Sequence, residues 1–291
     1  MARKPSVAGI FYSSDFDELS NQINDCFHSR LGPGALPIKK RTKEILAIIS
    51  PHAGYQFSGP CAAWAYKEIA ESKLADIYIL IGLSHSGFPS CVSLEDWETP
   101  FGMVKVDKEF NQLLMKNSGL VQNEEAHAQE HSIEVQLPFL QFVNKDYLRQ
   151  MRIAPIIVSE DRNYKKIAES IAKTIIETKK RAIIIASSDF THYGINYGFF
   201  PFHSDIKENM YNLDKGAIEK IKSLDADGFL DYITETGATI CGRVPIATTI
   251  AVSKILGANK SRLLNYYTSG DIINDYSSAV GYAAISIDKE N

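Results

Sequence analysis

Five short polar islands hold nearly all the side chains in this sequence that could bind a metal or move a proton. They read Pro51-His52-Ala53-Gly54-Tyr55, Gly82-Leu83-Ser84-His85-Ser86-Gly87, His127-Ala128-Gln129-Glu130-His131, Ser188-Asp189-Phe190-Thr191-His192 and Thr239-Ile240-Cys241-Gly242-Arg243. Five of the seven histidines sit in them. The islands around His52, His85 and Asp189/His192 each follow a β-type run. In an open α/β sheet, ligands bind outside the carboxyl ends of the strands. Imidazoles delivered repeatedly to that edge point to one shared site, with His52 and His85 as metal ligands.

Cys241 stands just before a helical pattern and two residues from Arg243. A helix dipole and a guanidinium both lower a thiol pKa, so Cys241 is expected to favour the thiolate, as metal ligand or nucleophile. Asp189, three residues before His192, is placed to orient that imidazole or fix its tautomer. Cys26, Cys61 and Cys91 fall in apolar patterns and read as small buried hydrophobes.

His127-Ala128-Gln129-Glu130-His131 fits an inverted zinc-peptidase pattern, which needs both histidines on one helix face. Ser132, Glu134 and Pro138 place the helix start near residue 131 instead. His127 is then expected in a loop and His131 in the pocket, with no peptidase site. The Gly82–Gly87 turn has a P-loop spacer but lacks the Lys-Ser/Thr that would follow, so it is not read as a nucleotide cradle.

The elements that must position these residues alternate. Strands are expected at Ile45–Ser50, Ile77–Gly82, Arg152–Val158, Ala182–Ala186, Leu263–Thr268 and Val280–Ile287. Helices are expected over about 15–29 (capped by Asp15 or Ser14), 59–72, 107–117, 131–144, 162–178 and 244–256, with 205–236 mostly helical. Short strands fill 91–106, and 31–43 is a surface loop whose Lys39-Lys40-Arg41 run is a solvated face. Ile- and Val-rich runs separated by helices indicate an α/β fold, a mostly parallel central sheet with helices on both faces. With no repeat and no linker, residues 1–291 read as one domain.

The 291-residue chain is 45% hydrophobic, which is enough for a large core. Its net charge of −4 argues against a nucleic-acid partner. No run approaches the ~20 apolar residues that span a bilayer. Four scattered cysteines without a CxxC pair fit a reducing compartment, so the expected location is cytoplasmic, without membrane association.

With these residues in view, the chain resembles the Memo family, proteins named for receptor-driven cell motility. The likeness runs nearly end to end. It covers Arg3–Tyr12, Pro51–Tyr55, Phe57-Ser58-Gly59, Thr99–Gly102, Glu130–Phe139, Ser187–Gly194, Cys241-Gly242-Arg243 and Tyr276-Ser277-Ser278. The resemblance implies a fold similar to class III extradiol dioxygenases, whose non-haem iron is held by two histidines and a glutamate. His52 and His85 match the histidine ligands, and Cys241 stands where the dioxygenases carry the carboxylate. His192 matches their acid/base histidine, with Asp189 beside it.

A thiolate in place of a carboxylate favours Cu(I) or Zn(II) over Fe(II). The implied cofactor is therefore one transition metal: copper, zinc or iron. Two functions follow. One is a metal-dependent redox enzyme, acting on a small molecule through His192 and Asp189. Tyr55, His131 and Arg243 are its candidate substrate contacts. The other is a non-enzymatic peptide-binding adapter or copper-binding protein that uses the same pocket.

Overall fold

The computed structural model describes residues 2–38, 41–160 and 163–290. Lys39 and Lys40 of the basic run lie outside the described residues. The fold is α/β, built on a large mixed sheet. Its centre is four parallel strands in the order Arg152–Ile157, Ile77–Gly82, Ala182–Ser187 and Ile45–Ser50. Ile77–Gly82 and Ala182–Ser187 are buried at every position. Continuous burial is what a parallel strand covered on both faces requires.

Period-two alternation divides the strand side chains between two cores. Ile48, Leu80, Ile183 and Ile185 face Leu19, Ile23 and Phe27 of the helix Phe16–His28, with Tyr66 and Phe139. Ile49, Ile79, Ile81 and Ile184 face Ile167 and Ile171 of Tyr164–Thr178 and Ile246 and Ile250 of Arg243–Ile255. Asp15 caps the first helix, accepting from the backbone N–H groups of Asp17 and Glu18.

Antiparallel strands extend the sheet. Ser278–Asp288 pairs with Ile45–Ser50 on one side and with Lys260–Thr268 on the other. Both C-terminal strands are longer than their apolar runs, because ladder pairing carries them into polar sequence.

Two helical boundaries differ from the sequence reading. The helix expected from residue 59 begins at Tyr55 behind Gly54, and Pro60 sits within it rather than in its first turn. His127 is not in a loop. It lies in the last turn of a separate short helix, Glu124–Ala128, capped by Asn123. The next helix begins at His131 behind Glu130, whose side chain accepts from Ser132 N–H. Among the described residues no helix is long and apolar enough to cross a membrane.

Candidate metal centre

Three adjacent parallel strands end in Ser50, Gly82 and Ser187, and the chain beyond each carries His52, His85 and Asp189. Cys241 arrives from the loop before Arg243–Ile255. A Cβ on Gly242 would lie 2.6 Å from the Ser187 carbonyl oxygen and 2.4 Å from Ser188 Cβ. Only glycine lets that loop press onto the strand end and bring the cysteine in. Donor atoms of His52, His85 and Cys241 lie within 4.8 Å of one another.

Hydrogen bonding sets which nitrogen each histidine offers. Ser187 Oγ donates its single proton to the Ser132 carbonyl (2.6 Å) and accepts from Gln136 Nε2 (2.9 Å). His52 Nδ1, 2.9 Å from the same oxygen, must therefore donate. That leaves His52 Nε2 bare, 3.3 Å from Cys241 Sγ. His85 Nδ1 lies 3.0 and 3.2 Å from the two Glu130 oxygens, an acceptor-only carboxylate. It too carries its proton on Nδ1 and frees Nε2. A carboxylate behind a ligating imidazole is the common outer support of metal-binding histidines.

The charges follow from burial and partners. Burial holds the His52 pKa well below the ordinary imidazole value, with the nearby His131 and His85 adding to the effect. His52 is thus neutral, as a ligand must be. Burial also opposes charge on Glu130 and His85, but their mutual contact outweighs it. Glu130 is pulled down to about 2 and His85 is raised.

Cys241 corrects the sequence expectation. Burial, then the charge of Asp189, pushes its thiol pKa up, not down. The Arg243 guanidinium expected to help turns away and pairs with Glu160, by Nε at 2.6 Å and by Nη2. A neutral, half-buried thiol facing a bare imidazole nitrogen becomes a thiolate when a cation displaces its proton. A neutral His52 imidazole, a His85 ring that yields its Nε2 proton to a cation, and one such thiol fit a transition ion in kind and spacing.

Asp189 and His192 flank this set, but Asp189 has other partners than the one expected. Asp189 does not hold the His192 ring. Its Oδ1 accepts from the backbone N–H groups of His52 (2.8 Å) and Ala53 (3.3 Å), and its own N–H points at Cys241 Sγ (3.3 Å). His192 Nδ1 instead donates to the Thr239 carbonyl (3.1 Å), and its N–H to Thr239 Oγ1 (2.9 Å). Among the described residues no hydrogen bond reaches His192 Nε2.

A cavity of about 350 Å³ is lined by His52, His85, His131, Asp189 and His192, with apolar walls from Phe11, Tyr197 and Tyr282. Cys241 and Arg243 line a neighbouring groove of about 650 Å³ instead. Tyr55 reaches neither. It is 1% exposed and donates its hydroxyl to the Val135 carbonyl (2.7 Å). His127 is fully buried against Cys91 and Trp97, in no metal-competent group with His131 among the described residues. The contacts that Glu130, Ser187 and Thr239 make to the three imidazoles escaped sequence reasoning, which met Glu130 only as part of the peptidase-like pattern. A serine closing an Ile-rich strand and a glutamate opening a helix were the only local signals.

Behind His192, Asp214 is fully buried and accepts from Thr191 Oγ1 (2.5 Å) and Tyr266 (2.6 Å). Burial outweighs these donors and lifts its pKa to about 6. The folded state then binds a proton that the unfolded state, near its ordinary value of about 3.9, has lost. Stability from this group is present below about pH 4 and declines by up to about 3 kcal/mol as pH rises to about 6. The gap in unfolding free energy between wild type and Asp214→Asn should shrink by that amount across the window. A gap independent of pH would refute the assignment.

Comparison with known proteins shows the family. A family model described as Memo-like protein matches residues 3–286. A MEMO1 family protein of Methanopyrus kandleri is 40% identical over 292 residues, covering 98% of each chain. One from Methanothermobacter thermautotrophicus is 40% identical, covering 98% of this chain and 100% of its own. One from Nitrosopumilus maritimus is 38% identical over 293 residues, covering 98% and 99%.

Proposed function

This chain belongs to the Memo-like protein family, and from that premise we propose that it is a metal-dependent enzyme of redox type. His52 Nε2, His85 Nε2 and Cys241 Sγ hold one ion at the edge of the cavity, and a small molecule binds beside it. The observation that carries this reading is the convergence of three donors within 4.8 Å. The two imidazole tautomers are already fixed for coordination by Ser187 and Glu130.

The donor set selects Cu(I) or Zn(II) over Fe(II), because thiolate is a soft ligand. When bound, the ion supplies Lewis acidity and, if copper or iron, one-electron chemistry. The chain's own residues do the rest. His192, pinned by Thr239, takes or returns a proton at Nε2. Asp189 fixes the His52 backbone and faces the same cavity. Phe11, Tyr197 and Tyr282 exclude water from one side of a bound molecule.

The test is anaerobic reconstitution with Cu(I) and Zn(II), measuring stoichiometry and affinity. Wild type should bind one ion of either kind through the sulfur. His52→Ala should weaken binding by at least ~100-fold, since loss of an outer partner alone costs ~10–100-fold. His192→Ala should stay within about tenfold of wild type while removing proton transfer. Equal loss of metal in His192→Ala and His52→Ala would show that the roles are wrongly divided.

A further inference from the structure

We infer that His85, Glu130 and His131 form a second metal position, overlapping the first at His85 and selecting harder ions. The inference rests on the reading of His85 as a ligand. Donor atoms of these three side chains also lie within 4.8 Å of one another. The set contains two imidazoles and one carboxylate, with no sulfur. Such donors suit Mn(II) or Fe(II), whereas the Cys241 set suits Cu(I), Zn(II) and the borderline ion Co(II), which falls back on the second position only when the sulfur is removed.

His85 serves the two sets with opposite ring nitrogens. Its Nδ1 faces Glu130, and its Nε2 is the one left for His52 and Cys241. A neutral imidazole has one lone pair. An ion on Nδ1 therefore sends the ring proton to Nε2 and dissolves the first set. The two positions are alternatives, one ion per chain, and the identity of the ion decides which is filled.

His131 is the cavity imidazole without a fixed orientation. Neither ring nitrogen has a hydrogen bond among the described residues, and its Nδ1 lies 3.9 Å from Glu130 Oε1. The ring now stacks on His85, with centroids 4.4 Å apart and planes 14° apart. An ion shared by both must lie near the plane of each, so His131 has to rotate. That rotation breaks no hydrogen bond. Glu130 is 3% exposed and held by His85 N–H and Ser132 N–H, so the carboxylate is already in place.

Co(II) and Mn(II) are the probes, and intact folded protein is confirmed for each variant by its thermal transition. Wild type with Co(II) should show a sulfur-to-metal charge-transfer band. Cys241→Ser should still bind one Co(II), without that band and within about 100-fold of wild type. Adding His131→Phe or His131→Gln to Cys241→Ser should weaken Co(II) by at least a further ~100-fold. In the otherwise native chain, either His131 variant should lower Mn(II) affinity at least about tenfold more than Cu(I) affinity. The inference is overturned if Cys241→Ser binds no Co(II), or if both His131 variants leave Mn(II) and Co(II) binding as it was. Absence of the sulfur band in wild type, with Co(II) retained in Cys241→Ser, would remove the proposed function and leave this second position standing.

Discussion

Replacing Arg3 with methionine is expected to destabilise the fold by about 3–5 kcal/mol, the usual cost of leaving one member of a buried ion pair without its partner. Arg3 and Glu134 meet at 2.5 Å, with side chains 4% and 0% exposed. The guanidinium also donates to the carbonyls of His127 (2.8 Å) and Glu130 (2.9 Å) and lies 4.2 Å from the Trp97 ring centroid. Glu134 further accepts from Ser6 N–H, Ser6 Oγ, Val7 N–H and Tyr12. This clasp ties residues 3–12 over the helix start that carries Glu130 and His131, and it sets Phe11 edge-on against His131 at 4.9 Å.

Burial raises the Glu134 pKa, but Arg3 and the backbone donors outweigh it and hold the group below its ordinary value. A depressed carboxyl contributes stability above its unfolded pKa, about 4.3, and loses it as pH falls through the folded value. Urea unfolding at neutral pH and near pH 4 measures both effects. Arg3→Met should unfold at much lower urea than wild type at neutral pH, with a smaller gap near pH 4. Wild-type stability in the variant at neutral pH would mean the clasp holds nothing.

The strand ends were legible in sequence because period and composition are local. Ile77–Gly82 and Ala182–Ser187 are unbroken apolar runs, and burial on both faces leaves no other pattern. The histidines after them had to fall at one edge once the strands were parallel. What sequence could not supply were contacts made across long chain separations. Glu130, capping the helix that starts at His131, meets His85 in the loop after Gly82, and Thr239 displaces Asp189 as the partner of the His192 ring. Helix position and charge spacing gave Cys241 a lowered pKa, yet burial reverses the direction and Glu160 takes the arginine. Desolvation depends on everything packed around a group, and none of that is written near residue 241. Tyr55 failed for a similar reason. Its neighbours in sequence line the cavity, while its own side chain turns into the core.

Cys241→Ser is expected to lower Cu(I) affinity by at least ~100-fold, because losing even an outer partner of a ligand costs ~10–100-fold and this is the ligand itself. The sulfur is the one soft donor among His52, His85 and Cys241, so it sets the preference of the site. Restoring a carboxylate should move that preference toward Fe(II). Cys241→Asp and Cys241→Glu differ in reach. The loop at Gly242 has no room to adjust, with Ser187 and Ser188 against it. The shorter side chain is therefore expected to fit better in the space of the thiol, which sits 3.3 Å from His52 Nε2. Competitive binding of Cu(I), Zn(II) and Fe(II) under anaerobic conditions, on wild type and all three variants, gives the order directly. Wild type should rank Cu(I) and Zn(II) above Fe(II), and Cys241→Asp should narrow or invert the gap. A wild-type chain that held Fe(II) most tightly would show that geometry, not donor softness, governs the choice of ion.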